Sequence, residues 1–374
     1  MTPALTAAQI ERYSRHLTLP QVGGDGQRRL RSARILVVGA GGLGSPVALY
    51  LAAAGIGKLG LVDDDVVDRS NLQRQVLYLD ADVGEAKVAV AARRLRGLNP
   101  DVEVVEHPHR FDAAHAFDLL ADYDLVVDGT DNFATRYLVN DACVLAGKPD
   151  VYGSVFRFEG QCSVFATAAG PCYRCLYPDP PEPGSVPNCA EGGVLGILPG
   201  VIGSLQATEA LKLVLEAGDS LAGRLVLFDA LGLTFRELTL RKDPACPICG
   251  EQPTICELHD EEAVCAADGP AEIEVEELAR RLGEANPPFL LDVRSPEEWS
   301  ICRLEGATLI PLQELETRLG ELDPERETVV YCHVGGRSAM AVTWLAARGF
   351  LQVRNLSGGI HAWSARIDPE VPRY

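Results

Sequence analysis

Short apolar runs alternate with stretches of helix-forming residues over the first third of the chain. The runs 34–39, 58–63 and 125–128 are of the kind that a strand buried on both faces requires. The stretches 45–54 and 87–98 have the composition of helices. This alternation predicts an α/β fold with a doubly wound, mainly parallel sheet, whose ligands bind beyond the carboxyl ends of its strands.

A second, shorter alternation begins near residue 270. Residues 272–283 predict a strand that leads into a helix, and the runs 289–293 and 328–332 predict two further strands. The segment before them is acidic and has little periodicity, which is typical of a linker. The predicted division is a domain 1–250, a linker 251–270 and a small α/β domain 271–374.

Length and charge exclude several classes of protein. A chain of 374 residues can form two or three domains, and its net charge of -19 argues against a nucleic-acid partner, because duplex binding needs clustered cations. The N-terminal segment lacks the pattern of a signal peptide, and we find no uncharged apolar stretch of about 18 residues, so we expect no membrane partner. We therefore expect a cytoplasmic protein whose eleven cysteines are mainly reduced.

Four of these cysteines have the spacing of metal ligands. Cys172 and Cys175 form one Cys-X-X-Cys pair, and Cys246 and Cys249 form a second. Four thiolates are the ligands of a tetrahedral structural zinc site, so the two pairs predict one Zn²⁺ ion that joins remote segments. The alternative is two redox dithiols or unligated thiols.

A glycine-rich segment follows the first predicted strand. Residues 39–44 read GAGGLG and contain G-x-G-x-x-G between a strand and a helix, where backbone N–H groups and the helix dipole hold phosphate. Asp63 follows the second strand, at the place where an acidic residue binds ribose hydroxyls. An NAD-dependent dehydrogenase and a tight turn without a ligand both remain open on these residues alone.

Charged residues downstream favour MgATP over NAD. The segments 70–74 and 128–132, together with Lys87, bring two cations and several carboxylates to the same end of the predicted sheet. Adenylation needs charge neutralisation around the attacked phosphate and the departing pyrophosphate, which Arg74, Lys87 and a metal ion held by Asp131 would provide. The alternative is that these residues are ordinary solvated charges.

Together these motifs resemble those of the MoeB/ThiF adenylyltransferases, relatives of the ubiquitin-activating enzymes, over about residues 10–250. The resemblance implies a homodimer that uses ATP and Mg²⁺. Its substrate would be a ubiquitin-fold sulfur-carrier protein ending in Gly-Gly, whose terminal carboxylate becomes an acyl-adenylate. Arg15 matches an arginine that in this family reaches ATP across the dimer. The nucleotide and magnesium residues implied are Arg15, Gly41, Gly42, Asp63, Ser70, Asn71, Arg74, Lys87, Asp131 and Asn132.

Cys189 lies outside both cysteine pairs, in a glycine-bearing segment with the pattern Cys-X-X-X-Gly. In the resembling family this position attacks either the activated carboxyl end or the sulfur intermediate. A passive thiol is the alternative, because reactivity requires a lowered thiol pKa and the sequence does not give the neighbours of Cys189.

Cys332 lies at the end of a predicted strand, and residues 338–348 predict the helix that follows. The loop 333–337 contains two glycines and can aim N–H groups at an anion, while the helix N-terminus and Arg337 would stabilise a thiolate or persulfide at Cys332. With 292–294 and 356–363, this loop resembles that of the rhodanese sulfurtransferases. Four residues separate Cys332 from Arg337, which favours sulfur transfer over the related phosphatases; an inert rhodanese-like adaptor is the other alternative.

The order of the two resemblances matches fused MoeB-type adenylyltransferase and rhodanese proteins, bacterial relatives of the eukaryotic molybdopterin-synthase sulfurase. It implies adenylation of the carrier, attack by a Cys332 persulfide, and release of a carrier thiocarboxylate with the help of Cys189. A persulfide donor such as a cysteine desulfurase would load Cys332. The alternatives are an activating enzyme for protein conjugation through a Cys189 thioester, and a scaffold that docks carriers without catalysis.

Overall fold

The computed structural model describes residues 4–168, 170–181, 193–260 and 270–374, which divide between two compact units. The larger unit contains a sheet of eight strands, and the smaller unit contains a sheet of five. Among the helices of these ranges, none combines the length and apolar character needed to cross a bilayer.

The sheet of the larger unit has the order β3-β2-β1-β4-β5-β6-β7-β8. Strands β1 to β5 are parallel, and β5 to β8 form an antiparallel extension. The strands are β1 Arg34–Val38, β2 Lys58–Val62, β3 Glu103–His107, β4 Leu125–Asp128, β5 Asp150–Phe156, β6 Glu159–Phe165, β7 Arg224–Asp229 and β8 Thr234–Thr239. The helices are α1 Ala7–Arg12, α2 Ser14–Leu17, α3 Gly23–Ser32, α4 Gly44–Ala54, α5 Lys87–Leu98, α6 Ala116–Ala121, α7 Phe133–Ala146 and α8 Leu198–Leu215.

The predicted strand–helix alternation of this unit is confirmed, because β1, α4, β2, α5 and β4 all form where expected. Alternate residues of β1 enter different cores: Ile35 and Val37 pack in one cluster, and Leu36 and Val38 pack in the other. A strand covered on both faces has no polar side, which explains why its sequence is a continuous apolar run.

The strand order reverses at β1, which lies between β2 and β4. Such a switch point opens a crevice at the carboxyl ends of the two central strands. Gly39 follows β1 with φ 89°. A Cβ atom at Gly39 would lie 2.8 Å from the carbonyl oxygen of Gly129, and one at Gly44 would lie 1.9 Å from that of Gly39. Only glycine allows the loops after β1 and β4 to approach this closely.

The smaller unit is an all-parallel sheet in the order β11-β10-β12-β13-β9. Its strands are β9 Glu272–Ile273, β10 Phe289–Asp292, β11 Thr308–Leu309, β12 Thr328–Tyr331 and β13 Val353–Leu356, and its helices are α9 Val275–Leu282, α10 Pro296–Ile301, α11 Gly336–Ala346 and α12 Gly359–Arg366. Helix α11 begins at Gly336, two residues before the predicted start, so Arg337 belongs to its first turn and not to the preceding loop. Residues 261–269 of the predicted linker lie outside the described part of the chain.

Candidate functional site

A cavity of about 1100 Å³, counted with its open mouth, lies at the carboxyl ends of β1, β2 and β4. Two of the ten predicted nucleotide residues, Arg15 and Ser70, are exposed and lie outside the set that lines it. The structure brings the other eight together around the cavity: Gly41, Gly42, Asp63, Asn71, Arg74, Lys87, Asp131 and Asn132.

The glycines of the first loop have different roles. Gly39 and Gly44 are required by backbone packing, whereas a Cβ atom at Gly41 would meet only the Nε2 atom of Gln75, at 3.5 Å. Gly41 therefore faces open space in the cavity, close to the N-terminus of α4. A phosphate group can approach its backbone there and accept hydrogen bonds from the amides of the loop.

Asp63 is fixed beside this loop by two backbone amides. Its Oδ2 atom accepts from Ala40 N–H at 2.8 Å, and its Oδ1 atom accepts from Asp65 N–H at 2.9 Å. Burial raises the pKa of this carboxyl, while Lys87 and the two amides oppose the rise. The carboxylate is thus held at the end of β2, where its remaining lone pairs can accept from ribose hydroxyls.

The two predicted cations reach the cavity from different sides. Lys87 is only 4% exposed, begins α5, and donates to Asp65 at 2.7 Å while lying 3.9 Å from Asp63. Such burial distinguishes Lys87 from an ordinary solvated lysine. Arg74 is partly buried and donates to the Ser70 carbonyl at 3.3 Å, and the nearby Asn71 accepts from Gln75 at 2.6 Å.

Asp131 and Asn132 lie in the loop between β4 and α7. The Asn132 side chain caps α7 by accepting from Thr135 N–H at 2.9 Å, so its oxygen has a structural role in addition to the predicted one. Asp131 is exposed and lines the cavity, which makes its carboxylate available to a hard cation such as Mg²⁺.

A buried charged group that sequence reasoning missed lies near the same cavity. Arg136 lines the cavity and is 3.9 Å from Asp128, whose other oxygen accepts from the Thr130 amide and hydroxyl at 2.8 and 2.6 Å. Burial raises the pKa of Asp128, and it raises that of Asp150 well above its usual range. The signal in the sequence was a carboxylate at the end of β4, Asp128, and another at the start of β5, Asp150.

The two Cys-X-X-Cys pairs come together in space. The sulfur atoms of Cys172 and Cys246 are 3.5 Å apart, those of Cys175 and Cys249 are 3.4 Å apart, and those of Cys172 and Cys175 are 3.9 Å apart. All four lie within 4.8 Å of one another. Tetrahedral zinc with Zn–S bonds of about 2.3 Å requires sulfur atoms about 3.8 Å apart, so this donor set fits Zn²⁺.

Burial affects the protonation of the cluster thiols when no metal ion is bound. Burial raises the pKa of Cys172, and it also raises that of Cys249, to about 12. Without a metal ion these two thiols would keep their protons at neutral pH. A bound metal ion supplies the positive charge that lets a thiol ionise in such a site.

The sulfur of Cys332 lies in a cradle of donors at the end of β12. Gly335 N–H donates to Cys332 Sγ at 3.1 Å, and the Ser338 hydroxyl lies within hydrogen-bond distance of both Cys332 Sγ, at 3.3 Å, and the Gly335 carbonyl oxygen, at 3.1 Å. Gly335 has φ 103° and precedes the first turn of α11. Cys332 is 0% exposed. Backbone N–H groups at a helix N-terminus stabilise an anionic sulfur, so this geometry supports the predicted role of the loop, and Ser338 is a further polar contact that was not predicted.

Arg337 binds Glu298 through both terminal nitrogens, at 2.7 and 2.8 Å. Burial raises the pKa of Glu298, but the Arg337 guanidinium and the Ser295 amide outweigh this and the net pKa is lowered. Glu298 was absent from the predicted site, although it lies in the segment after the Asp292–Arg294 motif. Cys302 is 8% exposed, and its thiol donates to the Pro372 carbonyl. Cys189 lies outside the described residues, so its role stays a prediction.

Two known protein families match successive parts of this chain, one for each of its two sites. Residues 13–248 match the ThiF family, and residues 274–366 match the rhodanese-like domain.

Several curated relatives are similar over nearly the whole chain. The chain is 49% identical to "Probable adenylyltransferase/sulfurtransferase MoeZ" of Mycobacterium tuberculosis, over 99% of this chain and 97% of the relative. It is 46% identical to "Adenylyltransferase and sulfurtransferase MOCS3" of Mus musculus, over 99% of this chain and 88% of the relative. A "Sulfur carrier protein adenylyltransferase" of Thermus thermophilus is 56% identical and covers 70% of this chain.

Solved structures agree with the fold of the larger unit. Escherichia coli MccB with ATP superposes with a TM-score of 0.56 at 23% identity, covering 64% of this chain and 74% of that chain. At this identity the likeness supports the mixed α/β fold alone.

Proposed function

The chain belongs to the ThiF family and ends in a rhodanese-like domain, and we propose that it activates a sulfur-carrier protein and then sulfurates it. It is an adenylyltransferase and sulfurtransferase, as its relatives of similar length are named. The observation that carries the proposal is that one chain contains both a cavity with buried Lys87 and a donor cradle around Cys332.

In the proposed first step, the terminal carboxylate of a ubiquitin-fold carrier ending in Gly-Gly attacks the α-phosphorus of ATP. The phosphorus–oxygen bond to pyrophosphate breaks, and an acyl-adenylate forms. Gly41 and Gly42 bind phosphate through the loop, Asp63 and Asn71 hold the ribose and phosphate groups, and Arg74 and Lys87 neutralise the developing charge. We assign magnesium to Asp131, where the ion would offset charge on the phosphates.

The second step moves sulfur to the activated carbon. A persulfide on Cys332, loaded by a donor such as a cysteine desulfurase, attacks the acyl carbon and expels AMP, which leaves an acyl disulfide. The Cys189 thiolate then attacks Cys332 Sγ, so that the carrier thiocarboxylate leaves and a Cys189–Cys332 disulfide forms. A cellular dithiol reduces that disulfide and returns both thiols.

Three further assignments belong to the proposal. Zn²⁺ binds the four-cysteine cluster as a structural ion. Arg15 acts on ATP bound by the partner of a homodimer, which agrees with its exposed place outside the cavity of its own chain. A chemistry that depends on reduced thiols suits the cytoplasm.

Two variants of the full chain separate the two activities. Asp131→Ala should abolish carrier-dependent ATP–pyrophosphate exchange, while Cys332→Ala should retain it and let carrier adenylate accumulate without a gain of sulfur. The measurements are labelled pyrophosphate exchange and mass spectrometry of the carrier C-terminus. The opposite pattern would reject this division of labour. Full thiocarboxylate formation by Cys332→Ala without added sulfide would reject Cys332 as the sulfur donor.

A further inference from the structure

A network of polar side chains connects Tyr374 to the Cys332 loop. The Tyr374 hydroxyl donates to Glu298 Oε1 at 3.0 Å and accepts from Arg294 Nη1 at 2.5 Å. Glu298 also binds both terminal nitrogens of Arg337, which lies in the first turn of the helix after the loop. The Tyr374 hydroxyl thus bridges Glu298 and Arg294. Glu298 in turn binds the first turn of α11, the helix that begins beside the Cys332 sulfur.

The base of this network is rigid. Arg294 and Asp292 are each 0% exposed and form a bidentate ion pair, with distances of 2.9 and 2.6 Å to the two carboxylate oxygens. Arg294 also donates to the Cys302 carbonyl at 2.8 Å. A buried pair with this geometry has little freedom to move, so the hydroxyl that it contacts is held in one place.

The ring of Tyr374 makes a second contact, with the residue that follows the nucleophile. It stacks on His333 with ring centroids 4.5 Å apart and an interplanar angle of 19°, and His361 meets the same imidazole edge-on at 5.6 Å. His333 is 8% exposed, and its two ring nitrogens are buried without a hydrogen-bond partner in the described part of the chain. Its orientation therefore depends on the two ring contacts.

The segment that carries Tyr374 is itself tied to the smaller unit. The Ser364 hydroxyl donates to the Val371 carbonyl at 2.5 Å, and the Cys302 thiol donates to the Pro372 carbonyl at 3.4 Å. Tyr374 also packs against a hydrophobic cluster that contains Tyr331, the residue before Cys332. These contacts hold the segment that follows α12, so that the Tyr374 ring lies against the Cys332 loop.

We propose that Tyr374 is a positioning residue for sulfur transfer, which fixes Glu298 through its hydroxyl and His333 through its ring, and so holds the loop around Cys332 Sγ. The inference rests on the proposed role of Cys332. Its physical reason is that the Gly335 N–H reaches the sulfur only if the backbone of the loop keeps its shape. Small displacements of a reacting atom cost about 100-fold in rate, so support from outside the loop has a large effect.

The test compares Tyr374→Phe and Tyr374→Leu with the wild-type full chain. Phe keeps the stacked ring and removes the hydroxyl, whereas Leu removes both. We expect kcat for sulfur transfer from thiosulfate to cyanide to fall about tenfold with Phe, because a hydrogen bond to a carboxylate is lost, and about 100-fold with Leu. KM should change little. The pH profile of Cys332 alkylation by iodoacetamide, followed by peptide mass spectrometry, should also shift, less with Phe than with Leu.

Leu278→Ala is the matched control for stability, because Leu278 is 0% exposed, lies in α9 of the same unit, and belongs to the hydrophobic cluster of Tyr374 and not to that of Cys332. It should lower the Tm while leaving kcat and the alkylation profile unchanged. Wild-type kcat and profile in both Tyr374 variants would overturn the proposal, as would equal effects of Leu278→Ala. If Tyr374→Leu does not fold, the Phe variant decides. Absence of sulfur transfer in the wild type would instead refute the proposed function, and the alkylation profile would still test Tyr374.

Discussion

Replacing one cysteine of the four-cysteine cluster should remove a metal ion and not only a thiol. We predict that Cys246→Ser abolishes binding of one Zn²⁺ per chain and strongly destabilises the larger unit. Cys246 is 1% exposed and lies 3.5 Å from Cys172 across the cluster, so the serine hydroxyl would occupy a ligand position in a site built for four sulfurs. The cluster joins a segment after β6 to a segment 74 residues further along the chain.

The expected magnitude separates metal loss from a packing defect. Burial of a hydroxyl without a good partner costs about 1–3 kcal/mol. A structural zinc site contributes about 10–16 kcal/mol of apparent binding free energy, which is comparable with the whole stability of a typical domain, about 5–15 kcal/mol. Loss of the ion should therefore unfold the zinc-binding region at temperatures where a simple Cys→Ser substitution in the core would be tolerated.

The control is Cys162→Ser, because Cys162 is 0% exposed, lies in the same unit, and is outside the cluster. Elemental analysis gives the zinc content, and calorimetry with and without a chelator gives the stability. We expect the chelator to destabilise the wild type and Cys162→Ser but to have no further effect on Cys246→Ser. A folded wild type free of zinc, or a Cys246→Ser protein as stable as Cys162→Ser, would refute the reasoning.

Two other substitutions, each with a control, test the Ser338 contact to Cys332 and the protonation of the buried Asp150. Ser338→Ala removes one of the two donors to Cys332 Sγ, so sulfur transfer should fall about tenfold, while Thr343→Ala on the exposed face of the same helix should have no effect; unchanged cyanide-assay rates for both would contradict the cradle. Burial raises the pKa of Asp150, so the folded state binds its proton more tightly than the unfolded state. Stability from this group is present below about pH 4, the unfolded value, and is lost as pH rises towards the raised pKa. Asp150→Asn should remove that loss and raise the Tm at neutral pH, whereas Asp118→Asn on the surface should not; equal pH profiles of Tm for Asp150→Asn and wild type would contradict the assignment.

Strands β1, β2 and β4 of the larger sheet could be predicted because they are short apolar runs buried on both faces, whereas the parallel strands β3 and β5 were not predicted. The run 35–38 is apolar throughout, and the glycine loop follows it directly. Strand β8, at the antiparallel edge, was missed for the opposite reason. All six residues of β8 are exposed, so no apolar periodicity marks it.

The candidate sites were predictable where the chemistry is local in sequence. The four cysteines, the glycine loop and the Cys332 loop are each recognisable within a few residues. The partners that orient them are not, because Glu298 reaches Arg337 from 39 positions away and Tyr374 reaches Glu298 from 76. Nothing in the neighbourhood of a glutamate or a tyrosine indicates such a contact, which depends on how the sheet folds.

The chain stabilises anionic sulfur in two ways, and the difference explains why only one of them suits transfer. In the four-cysteine cluster, direct bonds to a dication would neutralise much of the charge of each thiolate and occupy one of its lone pairs, which lowers its nucleophilicity. At Cys332 the sulfur instead faces hydrogen-bond donors, Gly335 N–H at 3.1 Å and the Ser338 hydroxyl at 3.3 Å, although that hydroxyl also lies 3.1 Å from the Gly335 carbonyl oxygen. Hydrogen bonds of this length favour the anion while leaving a lone pair on sulfur for attack. In the proposed mechanism a persulfide at Cys332 therefore reacts with the acyl-adenylate, whereas the cluster stabilises the fold.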